Sequence, residues 1–328
     1  MTIIRTEHAL AGWLPGACAA LLAACAQDPA PVPKAVFILV DGIPADVIES
    51  VATPGIDAIA AEGGYTRAYV GGEIGGESES PTVSAVGYMS LLTGTWAHKH
   101  NVVDNAVEAP DYRYWDIFRI AKANDPALRT ALFSTWTDNR TKLLGDGLEA
   151  AGGKKLDYAF DGLELGATEH SVEEEIEFIR AIDRRVAAEA ARYIRAEGPD
   201  LSWVYLQHTD DVAHEFGDGP ELAAAVREMD ALVAAIRAAV SERQAHFDED
   251  WLVIVTTDHG RDAETGRDHG GHSPRERTTW IATNSRRLNG RFADEPAIVD
   301  ILPSIAAHLG IGVPDPIVAA LDGSTFIE

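Results

Sequence analysis

The chain has almost no cysteine. Its 328 residues hold two, Cys18 and Cys25, both near the start. Everything downstream therefore folds without disulfides, and a metal bound there would be held by oxygen and nitrogen rather than thiolate. Positive charge is also scarce, with 27 Lys and Arg against 52 Asp and Glu and a formal net charge of −25. A surface this negative repels a phosphate backbone, which argues against extended nucleic acid as a partner unless positive charge is concentrated locally. No internal repeat is present, and the one low-complexity patch, Gly71 to Ser80 (GGEIGGESES), reads as a loop. Apolar residues are plentiful: 46% of the chain is hydrophobic and 24% charged, the balance of a sequence that folds around a core.

No residue from Ala9 to Ala26 is charged, Arg5 precedes the stretch, and small residues crowd its end, as in a secretory signal. Leu22-Ala23-Ala24-Cys25 is similar to a bacterial lipobox, in which the cysteine becomes the lipidated first residue of the mature protein. Residues 1–25 are thus expected to be a signal peptide with lipobox, and 26–33, containing QDPAPVP, an extended tether. The expected protein is exported, a periplasmic or outer-membrane-anchored lipoprotein that touches the membrane only through its lipid. An ordinary cleaved signal and an uncleaved anchor are the alternatives.

Continuous apolar runs recur at Ala35 to Val40 (AVFILV), Thr130 to Phe133, Leu201 to Leu206 (LSWVYL) and Trp251 to Val255 (WLVIV). Runs without alternation suit strands covered on both faces, as in a parallel sheet. Between them lie helical patterns. One opens with the capping box Ser171 and Glu174 and reaches Arg195, another covers Glu221 to Gln244, and a third Ile298 to Leu309. The alternation predicts an α/β fold over residues 34–328, a doubly wound, mostly parallel sheet sandwiched by helices, with cap segments near 136–200 and 260–296.

Aspartate follows three of the four runs: Asp41 after VFILV, Asp210 shortly after WVYLQH, and Asp258 after WLVIVTT. In an open α/β sheet, ligands bind beyond the carboxyl ends of the strands, so these remote side chains can converge. Histidines accompany them. His214 lies four residues after Asp210, one helical turn on; His259 follows Asp258; His269 and His272 flank two glycines. A single such aspartate is ordinarily a cap or turn residue. Three of them with histidines in register form a carboxylate and imidazole set suited to zinc or similar ions.

The sequence resembles the alkaline phosphatase superfamily, and within it the type I phosphodiesterase/nucleotide pyrophosphatase-like branch. The matching stretches are VFILVDG at 36–42, SAVGYMSLLTG at 84–94, HTDDVAHEFG at 208–217, VTTDHG at 255–260, DHGGH at 268–272 and DILPSIAAHLGI at 300–311. The resemblance implies a phosphoric ester hydrolase with two zinc ions around a serine or threonine nucleophile, which opens a helix ten residues ahead of the glycine in a Thr-Gly pair. Thr93-Gly94 then marks Ser84 as the nucleophile, with Thr82 the alternative. One metal would be held by Asp41, Ser84, Asp258 and His259, the other by Asp210, His214 and His269, with His272 competing for the last place. Bound zinc would acidify the Ser84 hydroxyl, the two ions would stabilise the attacking and leaving oxygens, and a phosphoserine intermediate would form. Together with the free N–H groups of the helix after Ser84, they would supply the local positive field that a small phosphoester substrate needs.

Diesterase and pyrophosphatase members commonly carry asparagine three residues after the nucleophile to hold a phosphoryl oxygen, and here that position is Gly87. Arg140 and Lys142 are either oxyanion-binding residues, as in monoesterases, or surface cations; Lys99 and Asn101 are further candidates. Sulfatase chemistry is disfavoured because Ser84-Ala85-Val86-Gly87-Tyr88 lacks the proline and arginine of the formylglycine frame. The expectation is a phosphodiesterase or nucleotide pyrophosphatase. Phosphomonoesterase, phosphonate hydrolase and a non-catalytic binding lipoprotein are the alternatives. Trp96, Tyr112, Tyr114, Trp115 and Trp136 are candidates to wall the substrate cleft or to pack.

Overall fold

Strand β1 (Val32–Val40) shows why its apolar run does not alternate. Phe37 and Leu39 enter one hydrophobic core, while Val36, Ile38 and Val40 enter another on the opposite face. From Ala35 to Val40 both sides of the strand are dry, so an unpaired polar side chain there would be costly, whereas Lys34 nearer the strand start is buried against Asp200 and the Gly198 carbonyl. The computed structural model of the chain describes residues 1–3, 12, 30–166 and 171–328. Most of the expected signal peptide, including Cys18 and Cys25, and the first part of the expected tether lie outside the described residues. The end of that tether is not a tether: Val32 and Pro33 pair with Glu249 and Asp250 as the first rungs of β1.

Six further strands are β2 (Gly64–Tyr69), β3 (Thr130–Ser134), β4 (Tyr158–Phe160), β5 (Leu201–Leu206), β6 (Glu249–Thr256) and β7 (Thr278–Thr283). They form one sheet in the order β2-β7-β6-β1-β5-β3-β4. β1 pairs in parallel with β5 and β6, and β3 with β4 and β5, whereas β7 runs antiparallel to both of its neighbours. The helical segments are α1 (Ala45–Ser50), α2 (Pro54–Glu62), α3 (Ser84–Thr93), α4 (Ala97–His100), α5 (Ile117–Asn124), α6 (Val172–Glu197), α7 (His208–Phe216), α8 (Pro220–His246), α9 (Pro274–Arg277), α10 (Gly290–Ala293), α11 (Ile301–Leu309) and α12 (Asp315–Val318). Helices α3, α5 and α11 cover one face, and α2, α6, α7 and α8 the other. The architecture is the doubly wound, mostly parallel α/β sandwich that the sequence predicts.

Helix α6 begins where its capping box places it. Glu174 N–H donates to Ser171 Oγ at 3.3 Å, and Ser171 N–H to the Glu174 carboxylate at 2.9 Å. Sequence reasoning missed β2, β4 and β7. The first and last lie in the mixed-polarity stretches GYTRAY and TTWIAT, and β4 is three residues long. Both expected cap segments also feed the main sheet: 136–200 supplies β4 and α6, and 260–296 supplies β7. Residues 31–328 form one compact unit.

Candidate active site

The three central parallel strands β6, β1 and β5 lie side by side. Asp41 follows β1 directly, Asp258 comes two residues after β6, and Asp210 sits in the first turn of α7 just beyond β5. Adjacent strand ends thus bring together carboxylates that are up to 217 residues apart in sequence. Helix α3 adds Ser84 as its first residue, after Val83 in extended conformation. Its last turn closes on Gly94, whose φ of +64° is the left-handed geometry that glycine adopts without strain.

Ser84 Oγ lies 3.2 Å from His259 Nε2. The other ring nitrogen of His259 is 2.9 Å from the Gly260 carbonyl, which can only accept, so Nδ1 carries the proton and Nε2 offers its lone pair. That lone pair faces Asp258 Oδ2 at 3.2 Å and Asp41 Oδ1 at 3.5 Å. Both carboxylate oxygens are buried without a hydrogen-bond partner. His269 repeats the pattern: Nδ1 is 2.9 Å from the Thr82 carbonyl, and Nε2 is 3.1 Å from His214 Nε2. Asp41, Asp210 and His259 each bring a ligand atom within 4.8 Å of the others, and so do Asp210, His214 and His269.

Acceptor facing acceptor in a buried site is unfavourable unless a cation lies between them. The titration tendencies agree. Burial, reinforced by Asp258 and Asp210, pushes the Asp41 carboxyl well above its ordinary range. Burial and Asp210 push Asp258 up to about 7. For Asp210, burial also acts upward, but the Arg261 guanidinium and the His214 hydrogen bond outweigh it and hold this carboxyl below its ordinary range. Burial and neighbouring His269 carry His259 well below its ordinary value. Imidazole Nε2 atoms turned into the cluster beside orphaned carboxylate oxygens make a donor set that could hold a divalent cation.

Several partners of this cluster were not legible in the sequence. The Tyr88 and Tyr205 hydroxyls both donate to Asp41 Oδ2, Tyr205 at 2.6 Å, which leaves Oδ1 as the free oxygen. Gly42 N–H donates to Asp258 Oδ1 at 3.1 Å. Arg261 pairs with Asp210. Asn105 accepts from Ala85 N–H at 2.9 Å, beside the nucleophile candidate. A cavity of about 290 Å³ opens onto the cluster, lined by Asp41, Ser84, Tyr88, Asn105, Trp136, Asp138, Tyr205, Gln207 and Asp210.

Gly87 is glycine for a packing reason. A Cβ there would lie 2.8 Å from the Asp258 carbonyl oxygen and 2.9 Å from its Cβ, so asparagine has no room. A different amide, that of Asn105 on the loop after α4, lines the cavity beside Ser84.

The remaining candidates lie elsewhere. His272 stands outside both ligand groups, with Nε2 3.0 Å from Glu79. The Thr82 hydroxyl is committed to the loop carrying His269: it donates to Gly271 O at 2.8 Å and accepts from Gly270 N–H at 2.9 Å. Arg140 pairs with Asp161 at 2.7 Å, and Lys142 with Asp138 at 2.8 Å; neither lines the cavity. Lys99 is bound to Asp322, and Asn101 donates to Ala109 O at 2.7 Å. Among the candidate aromatics Trp136 lines the cavity, Trp96 is buried, and Trp115 stacks under Arg119 with the guanidinium 4.2 Å from the ring centre.

A curated phosphopentomutase from Methylobacterium sp. (strain 4-46) is 34% identical over 108 residues, and that match spans 32% of this chain and 24% of the relative's length. The phosphonate monoester hydrolase of Agrobacterium radiobacter shares the fold at a TM-score of 0.59 and 17% identity, over 89% of this chain and 76% of that one. Murine ectonucleotide pyrophosphatase / phosphodiesterase 5 does so at 0.56 and 14% identity, over 86% and 96%. The model of the type I phosphodiesterase / nucleotide pyrophosphatase family matches residues 35–303, spanning both the strand-end aspartates and the histidines that meet them, and the chain belongs to that family.

Proposed function

We propose that the chain is a two-zinc phosphoric ester hydrolase that cleaves phosphodiesters or nucleotide pyrophosphates through Ser84. The observation that carries this reading is the convergence of Ser84 Oγ with two three-residue ligand groups at the carboxyl ends of the central strands. Asp41, Ser84, Asp258 and His259 would hold one ion, and Asp210, His214 and His269 the other. When bound, such ions supply Lewis acidity that lowers the pKa of a nearby hydroxyl and offsets charge on the reacting oxygens.

The chain's own groups do the rest. Ser84 Oγ gives up its proton, attacks phosphorus and displaces one ester oxygen, which leaves as the protonated alcohol; the remaining phosphoryl group stays as phosphoserine until water cleaves the P–Oγ bond, releasing the product phosphate and restoring the hydroxyl. The first turn of α3 aims backbone N–H groups and the positive end of its dipole at the non-bridging oxygens. With its oxygen engaged by Ala85 N–H, Asn105 has its amide nitrogen left to donate to the same phosphoryl group. Trp136 forms a wall for the leaving group.

Charge favours a diester. The cavity lining contains Asp41, Asp138 and Asp210 and no Lys or Arg, while Arg140 and Lys142 are held by carboxylates. A diester monoanion needs less added positive charge than a monoester dianion. The physiological partner is read as a small phosphoester, not extended nucleic acid. Export with a lipid anchor at Cys25 rests on the lipobox-like stretch. Among the described residues no helix is long and apolar enough to cross a membrane.

The test is a panel of bis-p-nitrophenyl phosphate, p-nitrophenyl phosphate and a phosphonate monoester, run with and without chelator alongside elemental analysis. The diester is expected to turn over fastest, chelator to abolish activity, and Ser84→Ala to lower turnover by at least about a thousandfold. A monoester cleaved about a hundredfold faster than the diester would overturn the diester reading. Undiminished turnover in Ser84→Ala would overturn the nucleophile.

A further inference from the structure

We propose that Arg261 is the built-in counter-ion of this centre: its guanidinium neutralises Asp210 among three buried carboxylates and so keeps the ligand groups assembled without reliance on bound ions alone. The proposal rests on the metal reading above.

Arg261 is completely buried. All three nitrogens of its planar fork donate hydrogen bonds. Nε donates to the Gly42 carbonyl at 3.0 Å, Nη1 to the Arg267 carbonyl at 2.7 Å, and Nη2 to the Asp210 carbonyl at 3.0 Å and to Asp210 Oδ1. These acceptors lie on the loop that carries Asp41, on the helix that carries Asp210 and His214, and on the loop that leads to His269. One side chain therefore ties together three of the segments that supply ligands, through three differently placed nitrogens that the single ammonium of lysine could not reproduce.

The backbone makes way for this pair. A Cβ on Gly42 would lie 2.4 Å from Asp210 Oδ1 and 2.6 Å from Arg261 Nη2, and its φ of +64° suits glycine. Tyrosine hydroxyls engage only Asp41 Oδ2 and a backbone N–H only Asp258 Oδ1, and among the described residues the one Lys or Arg side chain paired with any of the three aspartates is Arg261, on Asp210.

A buried guanidinium can act through its charge or only through its shape, and the two predict different outcomes. If shape alone matters, its loss weakens the ion-free and the zinc-loaded protein equally. If its charge matters, the loss harms the ion-free protein more, because divalent ions neutralise the same carboxylates. The experiment measures thermal melts of the unmodified protein and Arg261→Met, in chelator and in saturating zinc. Arg261→Met is expected to melt roughly 10 °C lower in chelator and much less so in zinc, widening the gap between the two conditions. Equal falls in both conditions overturn the counter-ion role and leave the metal reading standing. An unmodified protein that neither binds zinc nor melts higher in it overturns both. Should Arg261→Met not fold, the comparison passes to Asp210→Asn/Arg261→Met, which removes both charges. That double variant is expected to fold in chelator, and one that stays unfolded overturns the proposal.

Discussion

The two candidate ligand groups are held in different ways. Around Asp41, Asp258 and His259 the site is sealed, with side chains at most 2% exposed, and the supporting donors are neutral: two tyrosine hydroxyls and a backbone N–H. Around Asp210, His214 and His269 it opens to solvent, with the His214 side chain 43% exposed, and the supporting donor is the cationic fork of Arg261. The first group stands on the ends of β1 and β6, the second on a helix and a loop. Similar ligand chemistry is thus fixed by strand geometry on one side and by a buried ion pair on the other. In the proposed two-ion centre the sealed side should give up its ion more slowly, since water and chelator reach it less easily.

The largest effect expected from this contrast comes from breaking one side at a time. Asp258→Asn should lower diester turnover by about a thousandfold or more. It should also raise the melting temperature of the ion-free protein, because it removes a carboxyl that burial and Asp210 already push up to about 7. His214→Ala should weaken zinc binding at one site by about 10–100-fold and leave the ion-free melting temperature nearly unchanged, since that side chain is half exposed. Zinc per chain from elemental analysis during a chelator titration, together with melting curves, checks both outcomes. If the two variants lose zinc and stability in the same way, the two sides are equivalent and the contrast is wrong.

The sealed side was also the more legible one in the sequence. Uninterrupted apolar runs marked β1, β3, β5 and β6, because strands covered on both faces cannot alternate, and the aspartates just beyond three of them followed from strand-end geometry. His214 was legible through its helical spacing from Asp210. The supports were not. Tyr88, Tyr205, Arg261 and Asn105 act on partners 20 to 219 residues away, and hydrophobic periodicity carries no record of such a contact. At Gly87 a sequence shows the absence of an amide but not the Asp258 backbone that fills its space. Arg140 and Lys142 sat at a suggestive spacing, yet the carboxylates that claim them come from positions 161 and 138.

A smaller effect should come from the rim. Asn105→Ala removes an exposed amide whose oxygen accepts from Ala85 N–H in α3. Diester kcat/KM should fall by about 10–100-fold while zinc content stays the same. A fall in zinc content would show that the rim and the ligand groups are not separable. Unchanged kinetics would remove Asn105 from the phosphoryl site.

The smallest effect separates the braces of the two helices, and here the signs oppose. On α3, Ser90 Oγ is 3.0 Å from His100 Nε2, and burial, with a minor push from His98, drives this imidazole down to about 3. Its folded pKa lies below the ordinary value of 6.5, so the unfolded chain takes up the proton first. The stability it contributes is present above about pH 6.5 and is lost as pH falls toward 3, reaching about 2 kcal/mol of loss by pH 5. At the start of α7, the N–H groups of Gln207 and His208 donate to Asp183 at 3.1 and 2.9 Å, and burial pushes that carboxyl up to about 6. Its folded pKa lies above the ordinary 3.8, so the folded chain keeps the proton longer, and stability is lost as pH rises through that window. In chelator-treated protein, His100→Asn should flatten the acid-side fall in melting temperature, and Asp183→Asn should remove the opposing slope. Profiles parallel to that of the unmodified protein in both variants would mean that neither brace titrates as its surroundings require.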